Sequence, residues 1–181
     1  MAQRKKRGKA AKAAYFVSSG NGNYVYTGPL YSIIAGSGLT ARQISMRRLL
    51  FCGCITALSL LCGLLPVPGM SNTFYVIIPY AGALIFGAVS LWKAARVAYW
   101  GGDKLREYVY ESTVKQIPVL TLFCAVFAGI SVIGEGLCLV FEKADPSSIP
   151  PAIVFILAHA VILVLALVER RFESKLEWGN H

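Results

Sequence analysis

The stretch IPVLTLFCAVFAGISVIGEGLCLVF, residues 117–141, decides the fold. At about 1.5 Å per residue it is long enough to cross the roughly 30 Å hydrocarbon core of a bilayer. A helix on the surface of a soluble protein would show a charged face, and this stretch has one charged side chain, Glu135. It therefore reads as a transmembrane helix. Glu135 then needs an explanation, because a carboxylate at the centre of a span costs on the order of 2.5 to 3.5 kcal/mol.

Three more apolar runs surround it, at residues 49–65, 74–92 and 149–168. Hydrophobic residues make up 56% of the 181-residue chain and mean hydropathy is +0.58, values of the membrane class. The expected fold is an all-α integral membrane protein, a four-transmembrane-helix bundle occupying residues 49–168. Pro66-Val67-Pro68-Gly69 ends the first span. Ser71 or Asn72 can cap the second, which Pro79 should bend, and Ser148 with Pro150 opens the fourth. The first run starts too far along the chain for a signal peptide, so the chain reads as uncleaved.

Outside the spans, residues 1–14 form a basic, alanine-rich tail that is expected to be disordered. Residues 15–48 are a juxtamembrane segment. In it Tyr15-Phe16-Val17 and Tyr24-Val25-Tyr26-Thr27 flank a Ser/Gly/Asn turn and read as a short β-hairpin, which needs a surface to lie on. Thr40 can cap a short helix that leads through Arg47 and Arg48 into the first span. After Gly101-Gly102, Asp103 can cap an amphipathic helix ending at Lys115. Its Leu105, Tyr108, Val109 and Ser112 share one face, so it should lie along the membrane surface. Residues 169–181 are a short mixed-charge tail.

Basic residues set the orientation. Nine precede the first span, five lie between the second and third, three follow the fourth, and Lys143 stands alone on the other side. Both termini are therefore expected to be cytoplasmic, with the plasma (cytoplasmic) membrane as the location. Arg4, Lys5, Lys6, Arg7, Arg47, Arg48, Lys93 and Arg96 are the expected contacts to lipid headgroups, worth about 1 kcal/mol per cation near an anionic surface. Nucleic acid is not an expected partner, since no aromatics alternate with the cations of the tail. The glycine pairs Gly20/Gly22 and Gly36/Gly38 continue into no phosphate-binding motif.

Helices in lipid associate through close packing of small residues and hydrogen bonds between helices. Each span carries such a seam. The first has Cys52, Thr56, Ser59 and Gly63; the second Ala83, Gly87, Ser90 and Ala94; the fourth Ala152, His159 and Ala166. The third has Thr121, Cys124, Ala128, Ser131, Glu135, Cys138 and Glu142, at alternating spacings of three and four that predict a compact left-handed bundle.

Glu135 lies seven residues from Glu142, roughly 10 Å deep, and His159 eight residues from Pro151, roughly 12 Å deep. Both are on seams of consecutive helices, so the expectation is a Glu135–His159 pair that fixes helix packing, or one that relays protons or binds a cation near the outer face. Exposure of Glu135 to the outer headgroups is the third reading. Cys52 and Cys54 point to different sides of a helix, and one His with one carboxylate is short of a metal ligand set. Ser131, Cys138 and His159 lack the context of a hydrolase motif. No cofactor, metal or catalytic group is expected. The function that follows is a non-enzymatic accessory or scaffold subunit that engages a protein partner, a second copy or the inner leaflet through basic cytoplasmic segments. A small proton- or ion-coupled transporter using Glu135 and His159 is the alternative.

Overall fold

A computed structural model describes residues 15–18, 23–35, 38–99, 104–141 and 145–180. In chain order the elements are β1 (Phe16–Ser18), β2 (Tyr24–Tyr26), β3 (Leu30–Ala35), α1 (Ala41–Cys62), α2 (Pro68–Asn72), α3 (Phe74–Tyr99), β4 (Leu105–Arg106), α4 (Glu107–Ser112), α5 (Ile117–Phe141), α6 (Ile149–Glu173) and β5 (Glu177–Asn180). Helices dominate. Four of them, α1, α3, α5 and α6, are long and apolar enough to cross a membrane.

Local chemistry accounts for the helix starts. Gly38 turns the chain with φ +63°, and Thr40 then forms a capping box with Gln43: the Gln43 N–H donates to Thr40 Oγ1 at 3.3 Å, and the Thr40 N–H donates to Gln43 Oε1 at 2.9 Å. The juxtamembrane helix and the first span are thus one helix. Its end comes at Cys62, earlier than expected, where the Gly63 N–H folds back onto the Leu60 carbonyl. Helix α3 is longer than the expected span, running to Tyr99 with Pro79 buried inside it. Helix α6 also runs past residue 168, to Glu173. The hydroxyl of Ser148 does not cap α6; it donates to the Asp145 carbonyl instead.

The long helices pack in a ring, α1 on α3, α3 on α5, α5 on α6, and α6 back on α1. One core layer joins Ile55, Ala83, Cys124, Ala128, Ile162 and Ala166; a second, toward the α2 end, joins Cys62, Val67, Val76, Ala152 and Phe155. The buried faces recur every three or four residues, for example Ala83, Gly87, Ser90, Ala94 and Val97 on α3. Hydroxyls on these faces serve their own helix. Thr56, Ser59, Ser90, Thr121 and Ser131 each donate to the carbonyl four residues back. Between long helices, Cys124 Sγ lies 3.4 Å from the Ala83 carbonyl.

The end of the bundle opposite α2 carries a β-structured cap. Strand β3 is the centre of an antiparallel sheet, with β4 on one side (Tyr31 opposite Leu105) and β5 on the other (Ile33 opposite Trp178). The segment before α1, the connection between α3 and α5, and the chain after α6 therefore meet in one sheet. An all-α fold is corrected to a helix bundle with this cap. The amphipathic helix is also shorter than expected: Leu105 and Arg106 are strand, and the helix starts at Glu107. Leu105 and Val109 are buried with Val97 and Val114 in a third core cluster, so this face is covered by the cap. The hairpin forms with Phe16 opposite Tyr26, and its surface is aromatic: both rings contact Tyr108, and the Arg106 guanidinium stands over both. Burial raises the Tyr26 and Tyr110 phenols above their ordinary range. The expectations for residues 1–14, for Gly20, Gly22 and Gly36, for Gly101 to Asp103, and for Glu142 and Lys143 lie outside the described residues.

Packing at this density predicts a side-specific response. A Cβ at Gly87 would meet Ile55 Cγ2 at 3.2 Å, whereas Ala88 faces outward. Gly87→Leu is expected to lower stability by about 1–3 kcal/mol through overpacking. Thermal unfolding in detergent should show the loss, and Ala88→Leu should leave the midpoint nearly unchanged.

Candidate functional site

Three buried polar places stand out. The first is Glu135 on α5, which is 0% exposed. Its carboxylate lies against Gly69 at the start of α2, where any Cβ would overlap Oε2. The adjacent Gly134 receives the Tyr75 carbonyl, 2.9 Å from where a Cβ would stand. The α1–α3 connection is thus seated on the Gly134–Glu135 face of α5, and two glycines make the close approach feasible.

The second is His159 on α6, also 0% exposed. Nδ1 lies 3.0 Å from the Phe155 carbonyl, which can only accept, so Nδ1 carries the proton. The ring centroid is 4.1 Å from that of Phe155 and 6.0 Å from that of Tyr80. Among the described residues Nε2 has no hydrogen-bond partner. Neither ring nitrogen is hydrogen-bonded to Glu135 among the described residues. His159 bonds to its own helix, while Glu135 lies against the α2 backbone at Gly69.

The third place was not anticipated. At the capped end, Arg48 on α1 is 1% exposed and holds Glu173 on α6 as a two-pronged pair. Nη2 donates to Oε2 at 2.7 Å, and Nε donates to Oε1. One turn away Glu169 is 0% exposed, with Oε2 3.8 Å from Arg47 Nε. The Arg47 guanidinium lies 3.6 Å from the centroid of Phe172, and that of Arg48 5.6 Å from the centroid of Trp178 in β5. The assignment of Arg48 to lipid headgroups is therefore corrected, since its charge is used inside the protein. Lys93 also turns inward, donating to the Ser112 carbonyl at 2.6 Å. Arg96 is exposed, and Arg4, Lys5, Lys6 and Arg7 lie outside the described residues.

The signal for this cluster was present in the seam. On α6 the series Ala152, Phe155, His159, Ile162, Ala166, Glu169, Glu173 keeps its three-four spacing, and on α1 Arg48 stands four before Cys52. The seam residues Thr56, Ser59, Thr121, Cys124, Ser131 and Cys138 are all buried. Gly63 is exposed, but the Tyr80 hydroxyl occupies the space a Cβ would need there. Among the described residues no three His, Cys, Asp or Glu side chains are grouped as a metal ion would require. No protein family, curated protein or solved structure matches the chain.

Removing one partner of a buried pair leaves the other charge uncompensated, at about 3–5 kcal/mol, whereas replacing both by apolar groups is often neutral. Glu173→Leu alone is expected to unfold the protein in detergent at markedly lower temperature. The double variant Arg48→Met/Glu173→Leu should recover most of the loss, as a double-mutant cycle on the unfolding midpoints will show.

Proposed function

We propose that the protein is a non-enzymatic four-span membrane protein, with both termini and the cap in the cytoplasm. Its role is that of an accessory or scaffold subunit, acting on a partner, a second copy or the inner leaflet through its basic cytoplasmic segments. The observation that carries this is the cap: three segments far apart in the chain converge in one sheet, and its Trp178 lies against the Arg48 guanidinium of the bundle. Chain direction gives both termini the same side, and seventeen of the eighteen basic residues belong to that side. The hairpin adds the exposed cross-strand pair Val17 and Val25 to the same region, apolar side chains suited to recognition. In support of a non-enzymatic role, the hydroxyls along the seam are bonded within their own helices.

The test uses full-length protein in mild detergent beside a chain lacking residues 1–27, which loses tail and hairpin but keeps β3. Cross-linking should join the full chain to a stoichiometric partner or second copy through these residues, and the shortened chain should lose the links. A monomer whose membrane association and behaviour are the same in both forms would overturn the proposal. Sidedness is checked independently: Ser147→Cys should react with a membrane-impermeant maleimide in intact cells, and Lys104→Cys only after permeabilisation.

The buried Nε2 of His159 favours proton- or ion-coupled transport as a second reading. Under it, Glu135→Gln and His159→Gln would keep the assembled protein but abolish a pH-dependent flux in proteoliposomes. Unfolding of Glu135→Ala and His159→Ala with no flux in the parent protein assigns both residues to packing.

A further inference from the structure

On the outer side of α3, close to the cap, Trp92, Ala95, Arg96 and Tyr99 line an open groove of about 330 Å³. Among the described residues Arg96 makes no hydrogen bond or ion pair. Arg47, Arg48 and Lys93 at the same end of the bundle are each engaged within the protein. The groove thus holds a guanidinium with five donors between two exposed aromatic rings, and no carboxylate among the described residues is paired with that guanidinium.

The groove also has a direction. Ile78, Ile85, Val89 and Trp92 are exposed and precede Arg96 at spacings of seven, four, three and four. At about 100° per residue all five positions stay within about 40° of one line along the helix. From Ile85 to Arg96 the track runs about 16 Å, close to the roughly 15 Å of one leaflet's hydrocarbon. An apolar track of leaflet depth ending in a single unpaired cation matches an amphiphile with one anionic head.

Resting on the membrane reading above, we propose that this face of α3 is a binding site for one anionic phospholipid of the inner leaflet. Its phosphate is held by Arg96, its glycerol region lies between Trp92 and Tyr99, and an acyl chain runs along Val89 and Ile85. Arginine suits the phosphate because its planar fork donates two hydrogen bonds at once. The aromatic rings suit the zone between headgroup and chain. Lys93, one turn from the groove, takes no part because the Ser112 carbonyl occupies its ammonium.

Native mass spectrometry of the full-length protein, released from nanodiscs of phosphatidylglycerol or phosphatidylcholine, tests this. One phosphatidylglycerol should remain bound. Arg96→Gln should reduce its retention at least about fivefold, Trp92→Ala should also weaken it, and Lys93→Gln should leave it unchanged. Arg96 and Trp92 are exposed, and matching elution and unfolding midpoints will show that the variants are folded. Equal retention by Arg96→Gln, equal retention of phosphatidylcholine, or displacement by millimolar inorganic phosphate would each overturn the proposal. So would a second protein chain cross-linked along Ile85 and Val89. Release of the protein from membranes by alkaline carbonate would mark failure of the membrane reading itself and take the lipid site with it; firm membrane retention with lipid binding indifferent to Arg96 would sink only the site.

Discussion

A buried arginine must find its counter-charge inside the protein, and the Arg48–Glu173 pair sets terms for everything at its end of the bundle. Two groups taken out of water lose several kcal/mol of hydration each, recovered only when the geometry is close and the remaining donors are satisfied. The two-pronged contact therefore fixes α1 against α6 in both height and rotation. Trp178 stands over the same guanidinium and pairs in β5 with Ile33 of β3, while Tyr110 bridges Trp178 and the ring of Tyr31. A line of direct contacts runs from the ion pair to the central strand of the cap. Bundle and cap are one unit because of it.

The rest of the bundle depends on size more than on polarity. Small side chains at three-four spacing let the helices approach, and their hydroxyls are bonded to their own backbones, so the interfaces rely on packing. Tight packing also explains how the exceptional groups are accommodated. Glu135 sits where Gly69 and Gly134 leave room, and His159 where its own helix supplies a carbonyl. Each solution is local.

Much of the helical part was legible in the sequence. Residues 117–141 form one helix, and the buried faces of all four long helices follow the small-residue spacing. The Thr40 cap and the hairpin were legible too, because their signals are confined to a few neighbouring residues. Strands β3, β4 and β5 were not. They have two to six residues each, with partners more than seventy positions apart, and pairing at such separation has no local signature. Arg48, Glu169 and Glu173 were missed for a different reason. The expected spans stop at these charged residues, although the spacing that buries Cys52 and Ala166 continues through them. Depth along a helix also does not fix a hydrogen-bond partner: His159 Nδ1 is bonded to the Phe155 carbonyl of its own helix.

The order of segments in the cap bears on how the chain is assembled during synthesis. Strand β3 emerges before any of the long helices, yet β4 follows the second of them and β5 the fourth. Until the last helix is in place, β3 has an open edge and Arg48 has no counter-charge. Pairing so distant in sequence is slow to form, and an unpaired edge invites association with other chains in the interval. Closure of the sheet therefore waits for the last of the four long helices, because β5 follows it in the chain.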